Sequence, residues 1–155
     1  SAFTDGLTGL YNRKYLEEHS KRLISQAKRD NFNIGILLLD MDHFKAVNDE
    51  YGHDEGDKLI EKTAQTIKDC VRTNDIVARL GGDEFAILNV ETNLTDTEKL
   101  SKRIFNALTK VNIEVAIGIA VRDPSKGLKK AVKEADKKMY ENKAKLKSSK
   151  LLRTK

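Results

Sequence analysis

A chain of 155 residues with a formal net charge of +5 and a single cysteine makes one ordinary globular domain, long enough to bury a core without disulfides or structural metals. Cys70 alone excludes an internal disulfide, fits a reducing compartment and reads as a small apolar residue without chemistry of its own. No apolar run reaches the length of a membrane span and no basic, then apolar, leader opens the chain. The expectation is a cytoplasmic segment that makes no membrane contact itself, whether or not a longer protein is membrane-tethered.

In chain order, "SAFTDGLTGLYN" is rich in turn residues and ends on Asn12, which can cap a helix running to about Asp30 with Tyr15, Leu23 and Ile24 among its apolar positions. In "NIGILLLDMD" the apolar run from Ile34 to Leu39 predicts a buried central strand that stops abruptly on acids. "HFKAVNDEYG" returns to helical spacing through Phe44, Val47 and Tyr51 and stops at Gly52; Asp54 then starts a helix with Leu59, Ala64 and Ile67 inward. Ile76 to Leu80 and Phe85 to Leu88 read as the arms of a β-hairpin, with Gly81-Gly82 supplying the positive φ angles of its turn. Thr95 and Glu98 have the spacing of a capping box, and "VNIEVAIGIAV" alternates Val111, Ile113 and Val115 before becoming wholly apolar, as a further buried strand. After Pro124 a last helix is expected from about Leu128 to Lys145. The domain is expected over residues 1–147, with 148–155 as a basic tail. A hairpin among alternating helices and strands excludes an all-parallel sheet, so the class is α+β, a mainly antiparallel sheet covered by helices.

Much of the lysine lies between Lys126 and Lys155, which suits either attraction for phosphate groups or a solvated helix and tail. Aromatics are not interleaved with those lysines, which argues against a nucleic-acid partner. The carboxylates are more telling. Asp40 and Asp42 end a central strand, and a hairpin turn carrying Asp83 and Glu84 can meet them from a distant part of the chain. Such oxygen donors suit a hard cation such as Mg²⁺, and no His/Cys set competes for a softer metal. If both stood on a strand, Asp83 and Glu84 would point to opposite faces and take different roles. Asp83, beside the glycines, is the better ligand; Glu84 completes a second ion site or is structural. Lys45 and Asn48, three apart, share a helix face just after that site. Asp57 fits a helix cap begun by Asp54, but a carboxylate also accepts paired hydrogen bonds from a guanine edge, and an asparagine amide can meet the rest of that base. His53 suits a polar loop or a pocket wall equally.

Taken together, "DGLTGLYNRKYL", "LLLDMDHFKAVNDEYGHDEGDKLI", "RTNDIVARLGGDEFAIL", "VAIGIA" and "ADKKMYENK" closely resemble the diguanylate cyclase, or GGDEF, domain family across almost the whole chain. The resemblance implies a ferredoxin-like palm related to class III nucleotide cyclases and palm-type polymerases. It implies condensation of two GTP molecules into cyclic di-GMP with release of two pyrophosphates, at the interface of a homodimer. Asp40, the Met41 carbonyl and Asp83 would bind Mg²⁺, with Glu84 as a further ligand, two ions per half-site and Mn²⁺ as an alternative. Asp83 would also accept the proton of the ribose 3′-hydroxyl, and Lys45 would stabilise the pentacovalent transition state. Asn48 and Asp57 match guanine contacts, His53 another substrate contact, and Lys143 and Lys147 basic residues that hold phosphates. Arg72 and Asp75 of "RTND" match an RxxD product-inhibition site that grips cyclic di-GMP, with Arg103 similarly placed to a secondary inhibitory arginine. A sensory domain before Asp5 is expected in a longer protein.

The chain departs from the family at its last motif. In place of Ala-Lys-x-x-Gly-Arg-Asn it has Asn142-Lys143-Ala144-Lys145-Leu146-Lys147-Ser148. Lysine for arginine keeps the charge but loses the planar fork that binds phosphate bidentately. Ala116 stands where the family commonly has serine. The altered motif suggests an alternative to the cyclase, a catalytically silent module that binds GTP or cyclic di-GMP.

Overall fold

Strand β1 (Ile34–Met41) is buried at every position, because it lies inside a four-stranded sheet with both faces covered. The computed structural model describes residues 2–123 and 127–153; Pro124, Lys126, Thr154 and Lys155 of the sequence reading lie outside the described residues. With β2 (Ile76–Gly81), β3 (Glu84–Val90) and β4 (Val115–Arg122), the sheet order is β2-β3-β1-β4 and every pairing is antiparallel. The architecture is the α+β arrangement expected.

The period of two sorts β1 between two cores. Leu37, Leu39 and Met41 join Phe85 and Ile87 against α3 (His53–Cys70) and α4 (Leu94–Lys110), through Ile60, Ala64, Ile67, Leu100, Ile104 and Leu108. Ile34, Ile36 and Leu38 join Ala86 and Leu88 against α1 (Arg13–Asp30) and α5 (Lys129–Arg153), through Leu23, Ala27, Ala131 and Ala135. Asp40 has the parity of this second set and so belongs to the α5 face. Helix α2 (Phe44–Tyr51) follows β1 directly and places Phe44 on the first core.

Asn12 caps α1 as the sequence predicts, its side chain accepting from Tyr15 N at 2.9 Å. Other boundaries differ. Gly52, at φ +91°, is the N-cap of α3, so Asp54 lies inside the first turn, where its charge meets the helix dipole. The cap of α4 is Asn93, which accepts from Asp96 N at 2.8 Å, and Thr95 is already helical. Strand β4 begins at Val115 rather than Val111, because Val111 N and Ile113 N both donate to Leu108 O, around Asn112 at φ +62°. That left-handed residue ends α4 and spends donors a strand would need. Helix α5 passes Lys145 and continues to Arg153, through residues the sequence reading assigns to the tail. Leu146-Lys147-Ser148-Ser149 contains neither glycine nor proline to stop it.

Candidate functional site

The Gly81-Gly82 turn, with φ of +151° and +47°, carries Asp83 to the end of β1. Met41 N donates to Asp83 O at 3.2 Å, while Glu84, the first residue of β3, is paired in register with Asp40. Asp83 therefore stands in the turn and Glu84 on the strand, and both reach Asp40. Arg79, which the sequence reading overlooks, braces this turn. Its Nε and Nη2 donate to Gly82 O at 3.0 and 2.8 Å, and its Nη1 donates to Asp5 Oδ1 at 3.2 Å. Asp5 also accepts from Thr8 N at 2.9 Å, so the opening "TDGLT" segment anchors the hairpin. An arginine in the otherwise apolar arm "IVARL" is the one sequence signal of this role.

The acidic centre has a cationic wall. Lys143 Nζ donates to Asp40 Oδ2 at 2.8 Å, a bond that raises the lysine's pKa above its ordinary value. Asp40 Oδ1 is buried without a hydrogen-bond donor. Burial first, then the hydrogen bond that only the protonated acid can donate to Asp40 and the negative charge of Asp40, push the Asp83 carboxyl up to about 6. Asp40, Glu84, Lys143 and Lys147 line one cavity of about 430 Å³ with Met139, Tyr140 and Ala144. A buried carboxylate oxygen without a donor, beside a second carboxylate whose ionisation is disfavoured, fits a divalent cation; Met41, 2% exposed, can add only its backbone. The residues fit Mg²⁺, and they contain no soft ligand.

Asn48 and Asp57 lie on neighbouring helices. A side chain on Gly56, beside Asp57, would come within 1.7 Å of Asn48 Oδ1, which is itself buried without a partner. Asn48 thus fills the space that this glycine leaves. Lys45, one turn earlier on α2, and His53 and Asp57 on α3 are exposed.

A second acidic cluster, which spacing does not single out, includes one histidine. Asp42, His43 and Glu114 bring one ligand atom each within 4.8 Å of one another. The Lys150 ammonium occupies this group, at 2.6 Å from both Asp42 Oδ2 and His43 Nε2 and hydrogen-bonded to Glu114. Burial alone would raise the Asp42 pKa, but the hydrogen bond from Lys150 and the charges of His43 and Lys150 hold it below the usual carboxylate range. Spacing could not reveal this group, because its members come from β1's end, the α4–β4 connection and the end of α5.

Arg72, Asp75 and Arg103 share a separate cavity of about 220 Å³ with Asn89 and Lys99. Asp75 is committed inside the fold: its side chain, 1% exposed, accepts from Arg72 N and Val90 N at 3.0 Å and from Arg72 Nη2 and Asn89 Nδ2 at 3.2 Å. Arg103 Nη2 donates to Cys70 O at 2.8 Å. The Cys70 thiol is pushed up by burial.

Comparison with known proteins places the fold in a family. Residues 2–149 match the family model "Diguanylate cyclase, GGDEF domain". The chain is 39% identical over 114 residues to the diguanylate cyclase DosC of Escherichia coli, covering 74% of this chain and 25% of DosC. It is 32% identical over 149 residues to the diguanylate cyclase DgcS of Shewanella oneidensis, covering 92% of this chain and 50% of DgcS. The chain thus spans half or less of the length of these curated relatives. The crystal structure of the GGDEF domain of DgcB from Caulobacter crescentus, in complex with c-di-GMP, superposes with a TM-score of 0.86 at 30% identity, covering 93% of this chain and 91% of that one. By fold, by motifs and by the extent of the match, the chain belongs to the diguanylate cyclase GGDEF domain family.

Proposed function

We propose that this domain condenses two GTP molecules into cyclic di-GMP and two pyrophosphates, each domain of a two-fold pair holding one GTP. The observation that carries the reading is the buried, donor-free oxygen of Asp40 beside Asp83, at a cavity walled by Lys143 and Lys147. An anionic seat with a cationic rim suits a divalent cation and a triphosphate together. Asp40, Asp83, Glu84 and the Met41 carbonyl would hold two Mg²⁺, or Mn²⁺, per half-site; when bound, the ions neutralise charge on the attacking and leaving oxygens. Asp83 takes the proton of the ribose 3′-hydroxyl as the new oxygen–phosphorus bond forms to the α-phosphate of the facing GTP and the bond to pyrophosphate breaks. Lys45 offsets charge on the phosphorus centre, while Lys143 and Lys147 hold the phosphates. Asn48 and Asp57 read the guanine edge, and His53 borders the nucleotide. One domain supplies half of each reacting pair, so a monomer is inactive.

Product inhibition is part of the proposal. Arg72 and Arg103 would contact cyclic di-GMP, with Asp75 holding Arg72 in place. The domain boundary at 147 is likewise a proposal, since α5 continues beyond it. Incubation of a dimeric sample with Mg²⁺ and GTP should yield cyclic di-GMP and pyrophosphate, and Asp83→Asn should remove the product while preserving the fold. Tight nucleotide binding by a dimer without pyrophosphate release would instead identify the silent binding module.

A further inference from the structure

Lys143 and a metal ion want the same carboxylate. By strand parity Asp40 faces α5, where the Lys143 ammonium lies 2.8 Å from Oδ2; Oδ1, on the other side, is buried without a donor. The Asp40 side chain is 11% exposed, whereas that of Lys143 is 46% exposed, so the lysine can swing away on its flexible stem without disturbing either core. A divalent ion on Asp40 brings two positive charges to the carboxylate that already carries one, in a partly buried site where repulsion is weakly screened. Lys147, one helical turn further on, lines the same cavity, so a released Lys143 joins a second ammonium where a triphosphate would lie.

We infer that Lys143 is a resident counter-ion that holds Asp40 until a divalent cation displaces it, whereupon its ammonium is free for the phosphates. The inference rests on the metal-site reading of Asp40 and Asp83 and adds an exchange within this chain. A lysine that served the phosphates alone would leave metal binding unchanged when removed. A displaced counter-ion gives the opposite sign: removing it strengthens binding of the metal alone and weakens binding of the nucleotide.

The test uses Mn²⁺ without nucleotide, followed by the loss of the free-ion electron paramagnetic resonance signal, on the whole chain. Lys143→Met should bind Mn²⁺ about tenfold more tightly than the wild type, corresponding to about 1.4 kcal/mol. The same variant should bind the non-hydrolysable GTP analogue with Mg²⁺ more weakly. In the Asp40→Asn background the Lys143→Met effect on Mn²⁺ should vanish. Equal Mn²⁺ affinity in wild type and Lys143→Met, or no detectable binding by either, overturns the exchange. Binding of Mn²⁺ that ignores Asp40→Asn overturns the metal-site reading itself, so the two failures are distinguishable. A Lys143→Met protein that does not fold is replaced by the wild type with labelled lysine. There the Lys143 side-chain resonances should shift as Mg²⁺ saturates the site, and their constancy overturns the exchange.

Discussion

Gly56 controls a side chain rather than a turn. It is helical and buried, and any Cβ there meets Asn48 Oδ1 at 1.7 Å. An amide at the end of a side chain can rotate away, so Gly56→Ala should leave the melting temperature within a few degrees while displacing Asn48. Loss of one well-placed hydrogen-bond pair corresponds to roughly tenfold weaker GTP binding, measurable by calorimetry. Unchanged affinity would remove Asn48 from the proposed guanine contacts. Asp83 gives a prediction about pH. Its carboxyl is pushed up to about 6 from 3.8 by burial and by Asp40, so the folded, metal-free protein holds that proton more tightly than the unfolded chain. Its contribution is fully present below about pH 4 and is lost as the pH rises through about 6. Asp83→Asn should therefore stabilise the metal-free protein at pH 7.5, by roughly 1 kcal/mol after allowing for the exposure of this half-buried group, and make little difference at pH 4. Equal melting temperatures at pH 7.5 would contradict the placement of Asp83 against Asp40.

Among the elements, α5 ties sheet to site. It crosses β4 at Gly118, where a Cβ would lie 2.0 Å from Ala135 O and 2.2 Å from Met139 N. Those atoms are backbone and cannot turn aside. Gly118→Ala should cost about 1–3 kcal/mol and loosen α5, and with it Lys143; denaturant unfolding measures it. The far end of the helix is held more lightly. Lys150 bridges Asp42, His43 and Glu114 from a partly exposed position, so Lys150→Ala should cost less than about 1 kcal/mol, seen mainly as fraying of the last turns. The sequence announces the central elements well: an unbroken apolar run means a strand covered on both sides, and a glycine pair between apolar arms means a hairpin. It announces ends poorly, because competing caps lie within two residues of each other. Asn93 wins over Thr95, Gly52 over Asp54, and a left-handed Asn112 delays β4. Helix α5 outruns its expected end because neither glycine nor proline follows Lys145 to stop it.

At the scale of the whole molecule, the order β2-β3-β1-β4 turns distant acids into neighbours. The hairpin of β2 and β3 lies beside β1, so its turn meets the strand end that carries Asp40 and Met41. Asp40 and Asp83 were legible as a pair because each interrupts apolar sequence where a strand ends. The Lys143–Asp40 bond and the Asp42–His43–Glu114–Lys150 group were not, since each joins residues from opposite ends of the chain with no local pattern to mark them. The proposed division of the reacting pair between two domains predicts a rate set by dimer concentration. The most direct measurement is chromatographic quantification of cyclic di-GMP from Mg²⁺ and GTP over a series of protein concentrations spanning the monomer–dimer equilibrium. Cyclic di-GMP made with a specific activity that rises as dimer forms and vanishes in Asp83→Asn is the predicted result; no product from a dimeric wild-type sample would contradict it.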